Sequence, residues 1–240
     1  GNTAAYGGGI YNRNGTIDIT SSDISGNAAD YGGGIYNYVG SLTITSSTIS
    51  DNTADYGGGI YDDNGTLTIT SSTISGNTAA NYGGGIWNYG TLNITSSTTI
   101  YGNTAADQGG GIYNSAGGTL TITSSTISGN TADYGGGIYD DNGTLTITSS
   151  TISGNTAYSG GGIYNYTNST LTITGSTISG NDVSQQGGGI YLRGTGTITI
   201  GGSSSIDTDN FNTFTDNKKD GIISVDQHIC NSSGDCRSSY

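Results

Sequence analysis

The string Gly-Gly-Gly-Ile occurs eight times, with its Ile at positions 10, 35, 60, 86, 112, 138, 163 and 190. The steps are 25, 25, 26, 26, 26, 25 and 27 residues. A unit this short cannot bury an apolar face by itself, so it must stack on its neighbours. Residues 52–78 recur unchanged as 130–156, a shift of three repeats, which points to growth by duplication.

Within a unit the apolar period is two, as in strands. Leu67 and Ile69 point one way, and Thr66, Thr68 and Thr70 the other. Thr, Ile and Tyr favour strands, and Gly, Asn and Asp mark the bends. Stacking turns each repeat position into a column. Four aliphatic columns run inward, represented in one unit by Ile60, Leu67, Ile69 and Ile74. The column Asn2, Asn27, Asn52, Asn77, Asn103, Asn130, Asn155 and Asn181 is expected at a turn, with its residues left-handed and its amides bonding coil to coil. The expectation is an all-β, right-handed parallel β-helix of about eight coils, with three short strands per coil and coils about 4.8 Å apart. Handedness follows by analogy with parallel crossovers. The helix is expected over residues 1–210. Residues 211–240 are expected to form a degenerate coil and a tail with a disulfide.

The pattern Ile-Ser-Gly-Asn-Thr-Ala followed by Gly-Gly-Gly-Ile-Tyr resembles the repeats of polymorphic outer membrane proteins and related bacterial surface proteins. Those pair Phe-x-x-Asn with Gly-Gly-Ala-Ile. Here Ile mostly replaces the Phe, a third Gly replaces the Ala, and one Phe-x-x-Asn survives at Phe214 to Asn217. The resemblance covers residues 1 to about 217 and implies a right-handed β-helix at a cell surface, acting in adhesion or as a passenger domain. It carries over no catalytic residue, and the family's membrane barrel is not in this sequence.

Charge narrows the function. Lys plus Arg total 5 against 18 acids, all of them Asp, for a net charge of −13. Nucleic-acid binding needs a basic stripe, and an anionic membrane surface would repel the chain. No apolar run approaches the roughly 20 residues of a membrane-spanning helix. The absence of Met suggests a processed piece or fragment whose export signal has gone. Cys230 and Cys236 fit no zinc or Cys-x-x-Cys motif; a local disulfide in an extracellular or cell-surface setting is expected.

Three surfaces are candidate sites. Tyr11, Tyr36, Tyr61, Trp87, Tyr113, Tyr139, Tyr164 and Tyr191 form an outward aromatic ladder, flanked by a second file of Tyr6, Tyr31, Tyr56, Tyr82 and Tyr134 that Gln108, Ser159 and Gln186 break. Such a strip could dock glycan rings, or it could serve to stack neighbouring coils and cover the glycines. Asp30 with Asp55, and Asp107 with Asp133, share columns where like charges repel unless a cation separates them. Calcium is the ion they would take, although the fold requires no cofactor. Asp62-Asp63 and Asp140-Asp141 are placed in turns. The Thr-x-Thr ranks, such as Thr119, Thr121 and Thr123, admit ice binding, with Asp18 and Asn93 interrupting the middle file.

The chain therefore reads as a non-catalytic extracellular structural protein, an adhesin or a fibre or surface-layer subunit. Its partners are copies of itself stacked head to tail, or surface glycans. The alternatives are a carbohydrate-binding module using the aromatic ladder and a β-helix polysaccharide lyase or hydrolase. A lyase needs a base near cations, and Arg13 and Arg193 lie seven coils, or about 34 Å, apart. A hydrolase needs two carboxylates about 5–10 Å apart in unlike settings, which near-identical coils do not readily provide.

Overall fold

A computed structural model describes residues 1–201 throughout. Beyond them it describes only the strand backbones Ser205–Ile206, Ile223–Val225, Ile229–Cys230 and Cys236–Arg237. The chain winds as a right-handed parallel β-solenoid. One coil consists of Thr53–Tyr56, Ile60–Asp63, Thr66–Thr70 and Thr73–Ser75. Each strand pairs in parallel with its counterpart one coil away, so Leu67 meets Leu92 and Ile69 meets Ile94. The result is four parallel sheets of eight, eight, nine and eight strands. The ninth strand of the third sheet is Ile223–Val225, aligned on Ile198 to Ile200.

Four strands per coil replace the expected three. The overlooked strand is Thr53–Tyr56, whose inward residue is the small Ala54, 2% exposed. An Ala gives a weak apolar signal beside Ile or Leu. The Ile60, Leu67, Ile69 and Ile74 columns form one continuous core, most of it fully buried. The side chain of Ile206, expected in the last coil, lies outside the described residues.

The coil of Ile60 turns at four corners, and each carries one left-handed residue: Gly57, Asn64, Ser71 and Gly76, with φ of 63°, 58°, 49° and 64°. The triple glycine serves two purposes. Gly57 supplies a positive φ, while a Cβ on Gly58 would lie 2.4 Å from the Gly84 carbonyl oxygen of the next coil. Only a residue without a side chain allows the backbones to approach so closely.

The buried Asn column keeps its expected bonding but not its expected conformation. Gly76, not Asn77, takes the positive φ. The Asn amides point inward and form a ladder of seven side-chain hydrogen bonds, 2.9–3.2 Å long, running from Asn2 to Asn181. At another corner a Ser column accepts from the backbone one coil earlier, as when Ser72 Oγ takes the Ser47 N–H at 3.1 Å. The corners are therefore polar but hydrogen-bonded, as buried polar groups must be.

Cys230 and Cys236 stand opposite each other in a two-stranded antiparallel pair. Their side chains lie outside the described residues, as do Phe214 to Asn217 and the expected boundary at 210/211.

Candidate functional site

The tyrosine ladder follows from the alternation of the second strand. Ile60 points into the core, so Tyr61 points out, and parallel register sets Tyr36, Tyr61 and Trp87 side by side. Ring centroids from Tyr11 to Tyr191 lie 4.0–6.1 Å apart. Tyr6, Tyr31, Tyr56 and Tyr82 form a second file across the glycine corner, at 5.3–5.6 Å. The files meet edge to face, as between Tyr31 and Tyr61 at 84° and Tyr134 and Tyr164 at 78°. Offset stacks and edge contacts are the favoured aromatic geometries.

This arrangement qualifies the expectation of an outward, open ladder. Tyr36, Tyr113, Tyr139 and Tyr164 are buried by their own neighbours, whereas Tyr6 and Tyr11 are half exposed. The rings thus form a second, aromatic core on the outside of the glycine corner. Burial pushes the Tyr36, Tyr61, Tyr113 and Tyr139 hydroxyls well above the usual tyrosine range. Nearby carboxylates add to the effect: Tyr36 Oη donates to Asp63 at 2.9 Å and Tyr113 Oη to Asp141 at 3.0 Å.

The ladder opens where its symmetry breaks. Gln108 stands where the second file would place a ring, bridging Tyr82 and Tyr134. Over this gap lies a pocket of about 360 Å³ lined by Tyr82, Gln108, Tyr113, Tyr134, Tyr139, Asp141, Tyr164, Tyr166 and Arg193. Arg193 Nη1 donates to Tyr164 Oη at 3.3 Å, and its guanidinium lies 5.6 Å from the Tyr166 ring centroid. A second pocket of about 200 Å³ adjoins it and shares Tyr82 and Tyr113, with Trp87 and Ser115 in its wall. The combination is flat aromatic surface, phenolic hydroxyls, one carboxylate and one guanidinium. Stacking apolar sugar faces while hydrogen-bonding their hydroxyls requires such a set.

Asp141 and Arg193 escaped the sequence reading as site residues, although a signal existed. Two residues beyond each ladder Tyr, the same alternation faces outward again. That file runs Arg13, Tyr38, Asp63 in the first coils and Asp141, Tyr166 later, and Arg193 follows Tyr191 by two.

The Asp columns are placed as expected but lie apart from the pocket's main wall. Asp30, Asp55 and Asp133 are exposed and Asp107 half-buried. Burial and then the Asp133 charge push the Asp107 carboxyl up, against hydrogen bonds from Gln108 and Tyr82. Among the described residues, no three His, Cys, Asp or Glu gather to hold a metal. Asp62 and Asp140 do not sit in turns. Both belong to second strands, point inward and are fully buried.

The Thr face occupies the third sheet in three files, with Asn93 between Thr68 and Thr121 in the middle one. Thr66 is exposed and Thr68 and Thr70 half-buried, and the Thr70 and Thr95 hydroxyls lie 3.1 Å apart. No described helix is long and apolar enough to cross a membrane.

Four parallel sheets wound coil on coil, with a stacked aliphatic interior and amide ladders at the corners, define a right-handed β-solenoid. The chain belongs to the right-handed β-helix family: the family's right handed beta helix region matches residues 37–205 and 95–236. No curated protein and no solved structure matches it.

Proposed function

We propose that this β-solenoid is a non-catalytic extracellular structural protein of the adhesin kind, and that it docks glycans on its tyrosine face. The observation carrying the proposal is the pocket at Gln108, where rings, Asp141 and Arg193 converge beside a break in the second tyrosine file. The likeness of the repeats to polymorphic outer membrane proteins supports a surface location. A disulfide between the facing Cys230 and Cys236 would suit the same compartment. Head-to-tail association of copies is proposed on their common strand spacing, and electron microscopy of native material tests it.

A glycan array followed by titration on Trp87 fluorescence tests the main reading. Arg193→Ala and Tyr139→Ala should weaken a bound glycan by tenfold or more, because few interface residues carry most of the affinity. An array without a hit, or a hit indifferent to both changes, refutes it.

One observation favours a second reading, a polysaccharide hydrolase. Asp141 lines the pocket and Asp107 precedes Gln108 in its wall, where burial and then the Asp133 charge push the Asp107 carboxyl up. Glycoside hydrolysis requires two carboxyls flanking the scissile bond. Release of reducing ends, lost in Asp141→Asn, would establish it in place of simple docking.

A further inference from the structure

Two positions after the core Ile, the second strands carry an inward polar column: Asn12, Asn37, Asp62, Asn88, Asn114, Asp140, Asn165 and finally Leu192. In this column the Nδ2 of Asn12, Asn37, Asn88 and Asn114 each occupies a slot lined by oxygens. Asn12 Nδ2 donates to Asn37 Oδ1 at 2.7 Å, Gly15 O at 3.1 Å and Ser41 O at 3.4 Å. Asn88 Nδ2 repeats this with Asn114 Oδ1 at 2.7 Å, Gly90 O at 3.3 Å and Thr119 O at 3.4 Å. Every partner of these two nitrogens is an acceptor.

Asp62 and Asp140 have no nitrogen to place there. Each accepts through Oδ1 from the preceding Asn, Asn37 or Asn114, at 2.6 Å. That leaves Oδ2 in the donor slot. A Cβ on Gly40 would lie 2.3 Å from Asn12 Nδ2, one on Gly143 2.4 Å from Asn114 Nδ2, and one on Gly90 2.5 Å from Asp62 Oδ2. The oxygen therefore stands where its neighbours put nitrogen. Asp62 Oδ2 and Asp140 Oδ2 are buried without a partner, and so is Asn165 Oδ1, the acceptor that the column presents to Asp140. Asn165 Nδ2 is orphaned for a separate reason: Leu192 follows and offers it no oxygen.

We propose that Asp62 and Asp140 are proton-binding sites: each is a neutral carboxylic acid whose Oδ2–H donates into the slot and continues the amide column. One proton on Asp140 then satisfies two orphaned atoms at once. The surroundings agree. Among the described residues, the charged groups acting on them are Asp63 and Asp141, next to them on their own strands, and both oppose ionisation. The packed neighbours are neutral: Asn37, Asn88 and Gly90 around Asp62, and Asn114, Asn165 and Ser169 around Asp140. Burial pushes both carboxyls up to about 7. The Asn37 amide pulls against it for Asp62, and the Asn114 amide and the Ser169 hydroxyl do so for Asp140.

The sign of the linkage follows. An unfolded Asp titrates near 3.9, so between roughly pH 4 and 7 the native chain holds protons that the unfolded chain has lost. The contribution of these two groups must fall as pH rises through that window and level off above it. The experiment is a carbon-13 titration of the Asp carboxyls in the intact chain, read by NMR. Two of the 18 acids should still be protonated at pH 6. A chain with every carboxyl ionised by pH 5 overturns the proposal. The double variant Asp62→Asn/Asp140→Asn returns nitrogen to both slots. It should melt above the wild type at pH 8, with the gap closing towards pH 5. A variant that melts lower at pH 8 overturns the proposal. So does a wild type stabilised at pH 8 by calcium and destabilised by chelator in step with these two residues, since a cation would then fill the slots. The NMR titration needs no variant, and neither measurement depends on glycan binding.

Discussion

Removing one rung from the buried Asn ladder should cost far more than its small volume suggests. Asn103 Oδ1 accepts from the Asn77 backbone N–H and from Asn77 Nδ2, both at 3.0 Å. Asn103 Nδ2 donates to Asn130 Oδ1 and Ile74 O at 3.0 Å and to Tyr101 O at 3.2 Å. In Asn103→Ala the Asn77 N–H loses its partner in a fully buried setting, at about 1–3 kcal/mol. Asn77 Nδ2 keeps Ile49 O, and Asn130 Oδ1 keeps the Asn103 N–H, so those losses are each nearer 0.5–1.5 kcal/mol. The sum, discounted for shared partners, is about 2–5 kcal/mol. Asn2→Ala removes only one part-buried side-chain bond of 3.2 Å, from an exposed residue, and should cost under about 1 kcal/mol. Urea denaturation followed by circular dichroism compares the two. Hydrogen exchange at the Asn77 amide localises the effect even where coils unfold separately. Equal losses in both variants, with Asn77 still protected in Asn103→Ala, would refute the reasoning. Asn103→Asp adds a check, because it keeps the acceptor and loses the donor. It should be worse at pH 8 than at pH 5.

Three further outcomes are expected. Ile122→Asp places an unpaired carboxylate in the fully buried core and should cost several kcal/mol, whereas Thr121→Ser on the outer face should cost almost nothing, as thermal melts would show. Gly84→Ala drives a Cβ to 2.4 Å from Gly110 O and should cost about 3 kcal/mol; Gly102→Ala, at φ 63° with open space around it, should cost about 1 kcal/mol in the same assay. Ultraviolet titration should show Tyr36, Tyr61, Tyr113 and Tyr139 resisting ionisation after the exposed tyrosines have responded. Their folded values lie above the unfolded value of about 10. Their contribution is therefore complete below pH 10 and is lost as pH rises beyond it.

The inward columns were legible because a strict period of two over identical units leaves Ile60, Leu67, Ile69 and Ile74 no other side to occupy. Asp62 was misplaced because Asp-Asp-Asn-Gly has the composition of a turn; carrying the alternation on from Ile60 puts it inside. The corner Asn was expected to be left-handed because Asn tolerates that region, but the adjacent Gly76 tolerates it at lower cost and frees Asn77 for the ladder. The tyrosine files could be read from spacing. Their closure could not, because it depends on how rings tilt across the glycine corner. The pocket was hidden for a related reason. It arises from a missing ring at Gln108 together with Arg193, more than 80 residues further along.

The hydrogen bonds of all four sheets run along the rod, from each coil to the next. Tension between the two ends of the rod therefore pulls on one coil's bonds at a time and leaves the remaining coils wound. Each release pays out the 25–27 residues of a coil, about 85–90 Å of extended chain, while the rest of the rod continues to carry the load. Under load, a rod wound this way lengthens in steps, and the tyrosine face on its unopened coils keeps its shape.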